Sequence, residues 1–152
     1  MGDRCSIKLV IGGRINPSTI PLLEKAIEKE NPENYEPIQS CIEKKKVLRL
    51  YFHEINYGQL PTLEEVLIDN KIEFDLFQGG GREYDPEYRG FRKRIGAFQT
   101  SLDGEGNPTI TYKELNNVRS LLKKKKYKKA TQEMEKLLQK IPKLSPLSCA
   151  KY

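Results

Sequence analysis

The alternating segment VLRLYFHEI, residues 47–55, limits the fold of this chain more than any other feature of its sequence. Leu48, Leu50 and Phe52 fall on one face of an extended chain, while polar and amphipathic residues fall on the other. A strand with one apolar face needs neighbouring strands and a layer that covers that face. The segment therefore predicts a β-sheet that is covered on one side.

Four further segments have the composition of strands. CSIKLVI mixes alternation with a short apolar run, and IEFDLF alternates along its length. GAFQTSL and PTITY flank the Gly/Asn-rich sequence DGEGN, an arrangement typical of a β-hairpin. These predicted strands lie at residues 5–11, 72–77, 96–102 and 108–112.

Three regions have the periodicity of helices. In NPSTIPLLEKAIEKEN, Ser18 or Thr19 can cap the first turn. Thr62 and Glu65 form a capping-box pattern before a short apolar stripe. The last third of the chain carries two apolar stripes, which are compatible with one helix or with two. The predicted helical regions are residues 16–31, 62–70 and 113–141.

The order of these elements is β-α-β-α-β-β-β-α, with a further α if the last region divides. It predicts an α+β fold: a single mixed β-sheet of about five strands, with helices mainly on one face and a helical C-terminal third. The first strand–helix–strand unit is expected to form a right-handed parallel crossover. Residues 1–141 are expected to form one domain, and residues 142–152 a loose tail.

The formal net charge of +6 is concentrated in one block of the 152-residue chain. Residues 119–129 contain seven positive residues and no acid, and subtracting these seven charges leaves −1 for the rest. Because a lysine that reaches a phosphate releases counterions, the block predicts nucleic-acid binding without sequence preference. A solvated helical face is the alternative interpretation. The residues of the block are Arg119, Lys123, Lys124, Lys125, Lys126, Lys128 and Lys129.

The cysteines and the single histidine give no sign of a metal, redox or catalytic centre. Cys5, Cys41 and Cys149 cannot all pair within one chain, and none belongs to a C-x-x-C motif. Reduced thiols are typical of a cytoplasmic protein, and we expect that location. No apolar run approaches the roughly 20 residues that cross a bilayer. We therefore expect no cofactor, no metal, no catalytic residue and no membrane partner.

The stretch DLFQGGGREYDPEYRGFRKR, residues 75–94, combines three glycines with arginines and aromatic residues. The glycines fit neither a Walker A loop nor a dinucleotide-binding motif, so they predict a flexible turn. Arginine and tyrosine are typical of protein interfaces, and the interspersed acids would repel phosphates. The candidates are a self-packed loop, a protein-docking loop and a nucleic-acid contact. The predicted partner-binding residues are Arg82, Tyr84, Tyr88, Arg89, Phe91, Arg92, Lys93 and Arg94.

Residues 56–112 resemble small, functionally uncharacterised open reading frames of phages and plasmids. The resemblance is carried by Tyr57-Gly58, Leu63-Glu64, Ile72-Glu73-Phe74-Asp75, Gly80-Gly81 and Glu83-Tyr84. It implies a mobile-element setting, in which small single-domain proteins often bind host or replication machinery. It implies no activity and no catalytic residues.

Three hypotheses about function follow. The first is a non-catalytic binding protein that acts as an inhibitor or accessory factor on a host nucleoprotein machine, such as a defence system, through the Arg/Tyr loop and the lysine block. The second is a small enzyme or phosphate-ligand-binding domain that uses Arg14, His53, Glu54 and Asp75. The third is a structural protein that forms oligomers through its terminal helices.

Overall fold

The structure, a computed structural model, describes residues 4–56, 58–80 and 85–150. Five of its strands form one sheet in the order β3-β1-β4-β5-β6, and β2 and β7 form a separate pair. The strands are β1 (Arg4–Gly12), β2 (Arg14–Ile15), β3 (Leu48–Asn56), β4 (Glu73–Gln78), β5 (Glu87–Arg92), β6 (Gly96–Ser101) and β7 (Ser148–Cys149). An α+β fold with a five-stranded sheet, as predicted, is confirmed.

The prediction of a mixed sheet was wrong, because all four neighbouring pairs in the sheet are antiparallel. Ile11 pairs with Leu48, so the connection from β1 to β3 begins and ends at the same end of the sheet. It travels out and back: the backbone N–H of Glu33 donates to the Tyr51 carbonyl, 2.9 Å away and beyond the start of β3. The return includes a helix at residues 38–43 that the sequence pattern did not reveal.

The helices are α1 (Ile20–Glu30), α2 (Ile38–Glu43), α3 (Pro61–Asp69), α4 (Tyr112–Lys123) and α5 (Tyr127–Leu138). The C-terminal helical region therefore consists of two helices. Two predicted caps were wrong. Asn16, rather than Ser18 or Thr19, caps the 3₁₀ turn before α1, through a bond from the Ser18 amide. At α3 the Glu64 carboxylate accepts the Leu60 amide at 3.0 Å, and no capping box forms with Thr62.

The main hydrophobic core lies between α1–α3 and one face of the sheet. The register places Leu9, Leu50 and Leu76 side by side on that face, and each is fully buried. Leu23 of α1 and Leu63 of α3 belong to the same cluster. The strand VLRLYFHEI thus buries the face that its alternation predicted, and these three helices cover it.

The hairpin predicted around DGEGN is only partly present. Residues 96–101 form β6, but they pair with β5 through the turn at residues 93–95. Beyond β6, an isolated bridge joins Leu102 to Pro108, and no strand follows there. Thr111, expected in a strand, instead makes the capping box of α4 with Glu114. A cap that the backbone needs here takes precedence over the β propensity of PTITY.

Residues 142–150 are not the loose tail that was predicted. Leu147 is buried in the main core, and β7 pairs in parallel with β2. The segment lies directly over a glycine pair: the Gly13 amide donates to the Ser145 carbonyl at 2.8 Å. At Gly12, a β-carbon would lie 2.2 Å from the same carbonyl oxygen. The glycines thus allow a close approach of two backbones.

Candidate nucleic-acid interface

The segment predicted as an Arg/Tyr docking loop is, over residues 87–92, a strand inside the sheet. Tyr88, Phe91 and Arg92 are buried, so the prediction that these side chains form an exposed docking surface was wrong. The sequence pattern could not distinguish an exposed Arg/Tyr loop from a strand whose arginines pair internally. Arg82 and Tyr84 lie outside the described residues.

Arg92 is a structural anchor, because each of its five N–H donors has a distinct acceptor. Its Nη2 bonds Asp75 at 2.7 Å and the Pro142 carbonyl at 2.6 Å. Its Nη1 bonds the carbonyls of Phe74 and Phe91, and its Nε bonds the carbonyl of Lys143. One guanidinium thus joins two strands of the sheet to the C-terminal segment. This planar fork of donors is a geometry that lysine could not supply.

Asp75 is buried and serves both Arg92 and Tyr88. The Tyr88 hydroxyl donates to the same Asp75 oxygen that Arg92 contacts. Burial raises the pKa of Tyr88, and its hydrogen bond to Asp75 raises this pKa further. The raised pKa keeps the Tyr88 hydroxyl neutral, so it remains a hydrogen-bond donor to Asp75. We interpret this cluster as structural.

Arg89 is half-buried and also paired. Its Nε and Nη2 reach the two carboxylate oxygens of Glu64 at 2.8 and 3.1 Å, and Nη2 also reaches the Gly58 carbonyl at 2.9 Å. Only Lys93 and Arg94, in the turn after β5, are exposed among the described residues of the predicted docking set.

The structure disperses the residues of the second hypothesis. His53 lies on the edge strand β3 and pairs with Glu33. Val10 of β1 pairs with Asp75 on one side and with Arg49 of β3 on the other, so Asp75 is level with Arg49. Arg49 lies four residues before His53 along β3. At about 3.3 Å per residue and 4.8 Å per strand, His53 and Asp75 lie about 15 Å apart. Glu54 is exposed and contacts Arg4, so these residues share no site.

The lysine block forms the tip of a hairpin made by α4 and α5. After α4, the amide of Lys125 donates to Leu122 O and that of Lys126 to Leu121 O, and Lys125 has a positive φ of 58°. This is the Schellman arrangement that ends a helix sharply. The turn brings the last residues of α4 beside the first residues of α5. We call Arg119, Lys123, Lys124, Lys125, Lys126, Lys128 and Lys129 the lysine tip.

The charges of the lysine tip are not neutralised locally. All seven side chains are exposed, and none forms an ion pair with any residue that the structure describes. Four of them lie at the start of α5 or just before it, where the helix dipole is positive. The first turn of α5 has no acidic residue and no side-chain cap. The arrangement is electrostatically unfavourable by itself, and an anion placed there would relieve it.

One face of the hairpin is apolar and exposed. Seven of the eleven exposed large apolar side chains of the described residues lie between Ile110 and Leu138. Viewed along each helix axis, six of these seven lie about 40–120° around the helix from its buried residue, which is Val118 in α4 and Ala130 in α5. The rotation has the same direction in both helices. In antiparallel helices this places them on one side of the pair. We call them the apolar stripe: Tyr112, Leu115, Leu122, Tyr127, Met134 and Leu138.

The opposite side of the hairpin is a polar groove of about 590 Å³, lined by residues such as Asn117, Lys129 and Gln132. Sequence periodicity identified an apolar face on each of the two helices, but it could not show that much of each face stays exposed to solvent. That outcome depends on how few residues of the hairpin are buried, namely Val118 in α4 and Ala130 in α5.

No protein-family model matches the chain, and neither a curated protein nor a solved structure gives a significant match. Within the described ranges, no helix is long and apolar enough to cross a membrane. The same residues contain no group of three or more histidine, cysteine or acidic side chains placed to hold a metal ion. The site must therefore be interpreted from its own geometry.

Proposed function

We propose that this protein is a nucleic-acid-binding protein that holds the phosphate backbone with the lysine tip. The observation that carries the proposal is the concentration of seven exposed positive residues at one end of a helical hairpin, with no acid inside the block and no ion pair to any described residue. Phosphate contacts by lysine give affinity without base readout. Binding is therefore expected to be insensitive to sequence and strongly dependent on salt.

Tyr127 gives the proposal a preference for unpaired strands. It lies between Lys126 and Lys128 at the start of α5, and 60% of it is exposed. Aromatic side chains within a positive surface stack on bases of single strands, which contributes about 1–3 kcal/mol per base. A duplex offers no such face to a side chain at its backbone. The expected ligand is single-stranded DNA or RNA.

The apolar stripe supports the wider form of the proposal, in which the protein acts as an inhibitor or accessory factor on a nucleoprotein machine of a host. A large exposed apolar patch is typical of a protein interface. Here it adjoins the lysine tip, so one partner that contains both protein and nucleic acid would engage both surfaces. In that case the double variant Leu115→Ala/Leu138→Ala retains its affinity for free oligonucleotides. A large loss would instead assign the stripe to nucleic acid.

The test is a fluorescence titration with labelled 24-nucleotide single strands and 24-base-pair duplexes, in 50 and 200 mM salt. Counterion release by the seven positive residues of the lysine tip predicts that affinity falls roughly a thousand-fold between the two conditions. Replacing Lys123 to Lys126 by glutamate should abolish binding. Tyr127→Ala should weaken binding to single strands about 5- to 100-fold and leave binding to duplexes nearly unchanged.

Circular dichroism provides the control for folding, and the four lysines replaced by glutamine provide a milder variant. Lys125→Gly removes one charge and keeps the turn intact, because glycine adopts the left-handed conformation of residue 125 without steric cost. The proposal is wrong if the quadruple variants bind as tightly as the wild type. If Tyr127→Ala lowers the affinity for duplexes and for single strands equally, the stacking role of Tyr127 is refuted, but the phosphate contacts of the lysine tip are not.

A further inference from the structure

A second concentration of positive charge lies away from the hairpin, in a groove between the β5–β6 turn and the C-terminal segment. The groove has a volume of about 610 Å³. Lys93 and Arg94 line it from the turn, Lys143 from the C-terminal segment, and Arg14 from β2. We call these four residues the basic groove. They come from three separate parts of the sequence, so no local pattern predicted them as a group.

The charges of the basic groove are free to bind an anion. Among the described residues, none of the four cations forms an ion pair with a carboxylate. One acid, Glu73, also lines the groove, and its carboxylate accepts the Lys93 amide at 3.1 Å. The four cations outnumber this acid, and a concave surface with an excess of one sign of charge concentrates the electrostatic potential.

The frame that holds these cations is rigid. Arg92 lies at the groove and bonds the carbonyl of Lys143 at 3.2 Å, which fixes the C-terminal wall. The ammonium group of Lys93 donates to the Arg14 carbonyl, which joins the turn to β2. The pairing of β2 with β7 closes the far side. The backbone that carries the cations is thus already positioned, so less conformational freedom is lost when they bind an anion.

We propose that the basic groove is a second contact for the phosphodiester backbone of the same nucleic-acid strand that the lysine tip holds. This inference rests on the proposed function. α5 spans about 18 Å from the tip to Leu138, and the chain enters the groove at Pro142, so the two basic sites lie toward opposite ends of this helix. Even at the compact spacing of a strand within a duplex, about 3.4 Å per phosphate, about five phosphates cover that length, so a 24-nucleotide single strand is long enough to reach both sites. The exposed Ile95 beside Arg94 offers apolar surface to a base or sugar.

The experiment compares two double variants that remove the same charge. Arg94→Gln/Lys143→Gln neutralises the basic groove from two walls, and Lys25→Gln/Lys29→Gln neutralises two exposed lysines of α1 as the matched control. The probe is a labelled 24-nucleotide oligothymidylate, titrated at several salt concentrations. The groove variant is expected to reduce the magnitude of the slope of log K against log salt by about 1.4, because two contacts to a single strand are lost. The control variant is expected to keep the wild-type slope.

The outcomes separate this inference from the proposed function. If glutamates at Lys123 to Lys126 abolish binding and the groove variant matches the control, the second contact is refuted and the lysine tip stands. If the groove variant loses affinity and the tip variant does not, the tip is refuted and the groove remains a nucleic-acid site. If the wild type binds no oligonucleotide, both are refuted.

A small phosphate-bearing ligand is the other source of the same chemistry. The matched measurement is the melting temperature in inorganic pyrophosphate at constant ionic strength. If the wild type and the control are stabilised, the groove variant is not, and oligonucleotide binding is equal in all three, the groove takes a small ligand. That result would overturn the assignment to a strand.

Discussion

The sheet with α1–α3, which we call the sheet body, differs from the α4–α5 hairpin in whether its charged side chains have partners. Among the described residues, the buried charges of the sheet body are paired, and the charges at the lysine tip are not. In the sheet body, even the buried charges have partners: Arg92 bonds Asp75, and the half-buried Arg89 bonds Glu64. In the hairpin, seven positive residues gather at the tip without a paired acid among the described residues. Charges whose partners lie within the fold stabilise it, whereas charges left without partners are available to a ligand.

The two regions also differ in how they treat apolar side chains. The sheet body buries most of its large aliphatic residues, as at Leu9, Leu50 and Leu63, and exposes few, such as Leu22 and Ile68. The hairpin leaves Tyr112 and Leu138 each 82% exposed. A two-helix unit has too little interior to cover two stripes, since α4 buries only Val118 and α5 only Ala130. The difference indicates that the hairpin offers an apolar contact surface of a kind that the sheet body keeps largely buried.

The largest effect should come from breaking the buried ion pair of the sheet body. Arg92→Met leaves the Asp75 carboxylate buried without its cation and releases the C-terminal segment from two hydrogen bonds, those to the carbonyls of Pro142 and Lys143. We expect a loss of about 3–5 kcal/mol in the free energy of unfolding, measured by urea denaturation. Lys129→Met at the lysine tip is the matched control and should change stability by less than about 0.5 kcal/mol. If the two changes lowered the free energy of unfolding equally, the distinction between paired charges in the sheet body and unpaired charges at the lysine tip would be wrong.

A pair of leucine truncations should separate the regions next. Leu50→Ala opens a cavity in the middle of the sheet and should cost about 2–5 kcal/mol. Leu115 is 60% exposed, so Leu115→Ala should cost less than about 0.5 kcal/mol. A cost at Leu115 close to that at Leu50 would mean that the stripe is buried in solution, for example in an oligomer, and size-exclusion chromatography would then detect the larger particle.

The smallest effect concerns a surface carboxylate of the sheet body. Hydrogen bonds from Lys44, Lys46 and Ser40 lower the pKa of Glu36 from 4.5 to about 2. Because the folded pKa is depressed, the stabilisation is complete above pH 4.5 and is lost as the pH falls toward 2. Wild type should therefore exceed Glu36→Gln in stability at pH 6 by a small margin, and this margin should vanish near pH 2. A margin that stays constant across this range would show that the network contributes no linked stability.

The sequence predicted four of the five sheet strands because their signal is local, but it placed β5 in a loop and predicted a strand at residues 108–112 that does not form. Alternation in residues 47–55 and 72–77 specified both the strand and the face that it buries, and β3 and β4 agree with it. Strand direction was not local: the out-and-back connection through α2 made the sheet antiparallel. The short α2, IQSCIE, offers little periodicity and begins after Pro37, so its composition resembles that of a connector.

For the candidate site, the sequence by itself determined the lysine tip, because seven positive residues without an acid are visible in any conformation. Tertiary structure decided everything that depends on a distant partner. It placed Arg92 and Tyr88 in the interior beside Asp75, packed the C-terminal segment against Gly12 and Gly13, and brought the four cations of the basic groove together. The physical reason is that charge and periodicity are properties of neighbours along the chain, whereas burial and ion pairing depend on residues that only folding brings into contact.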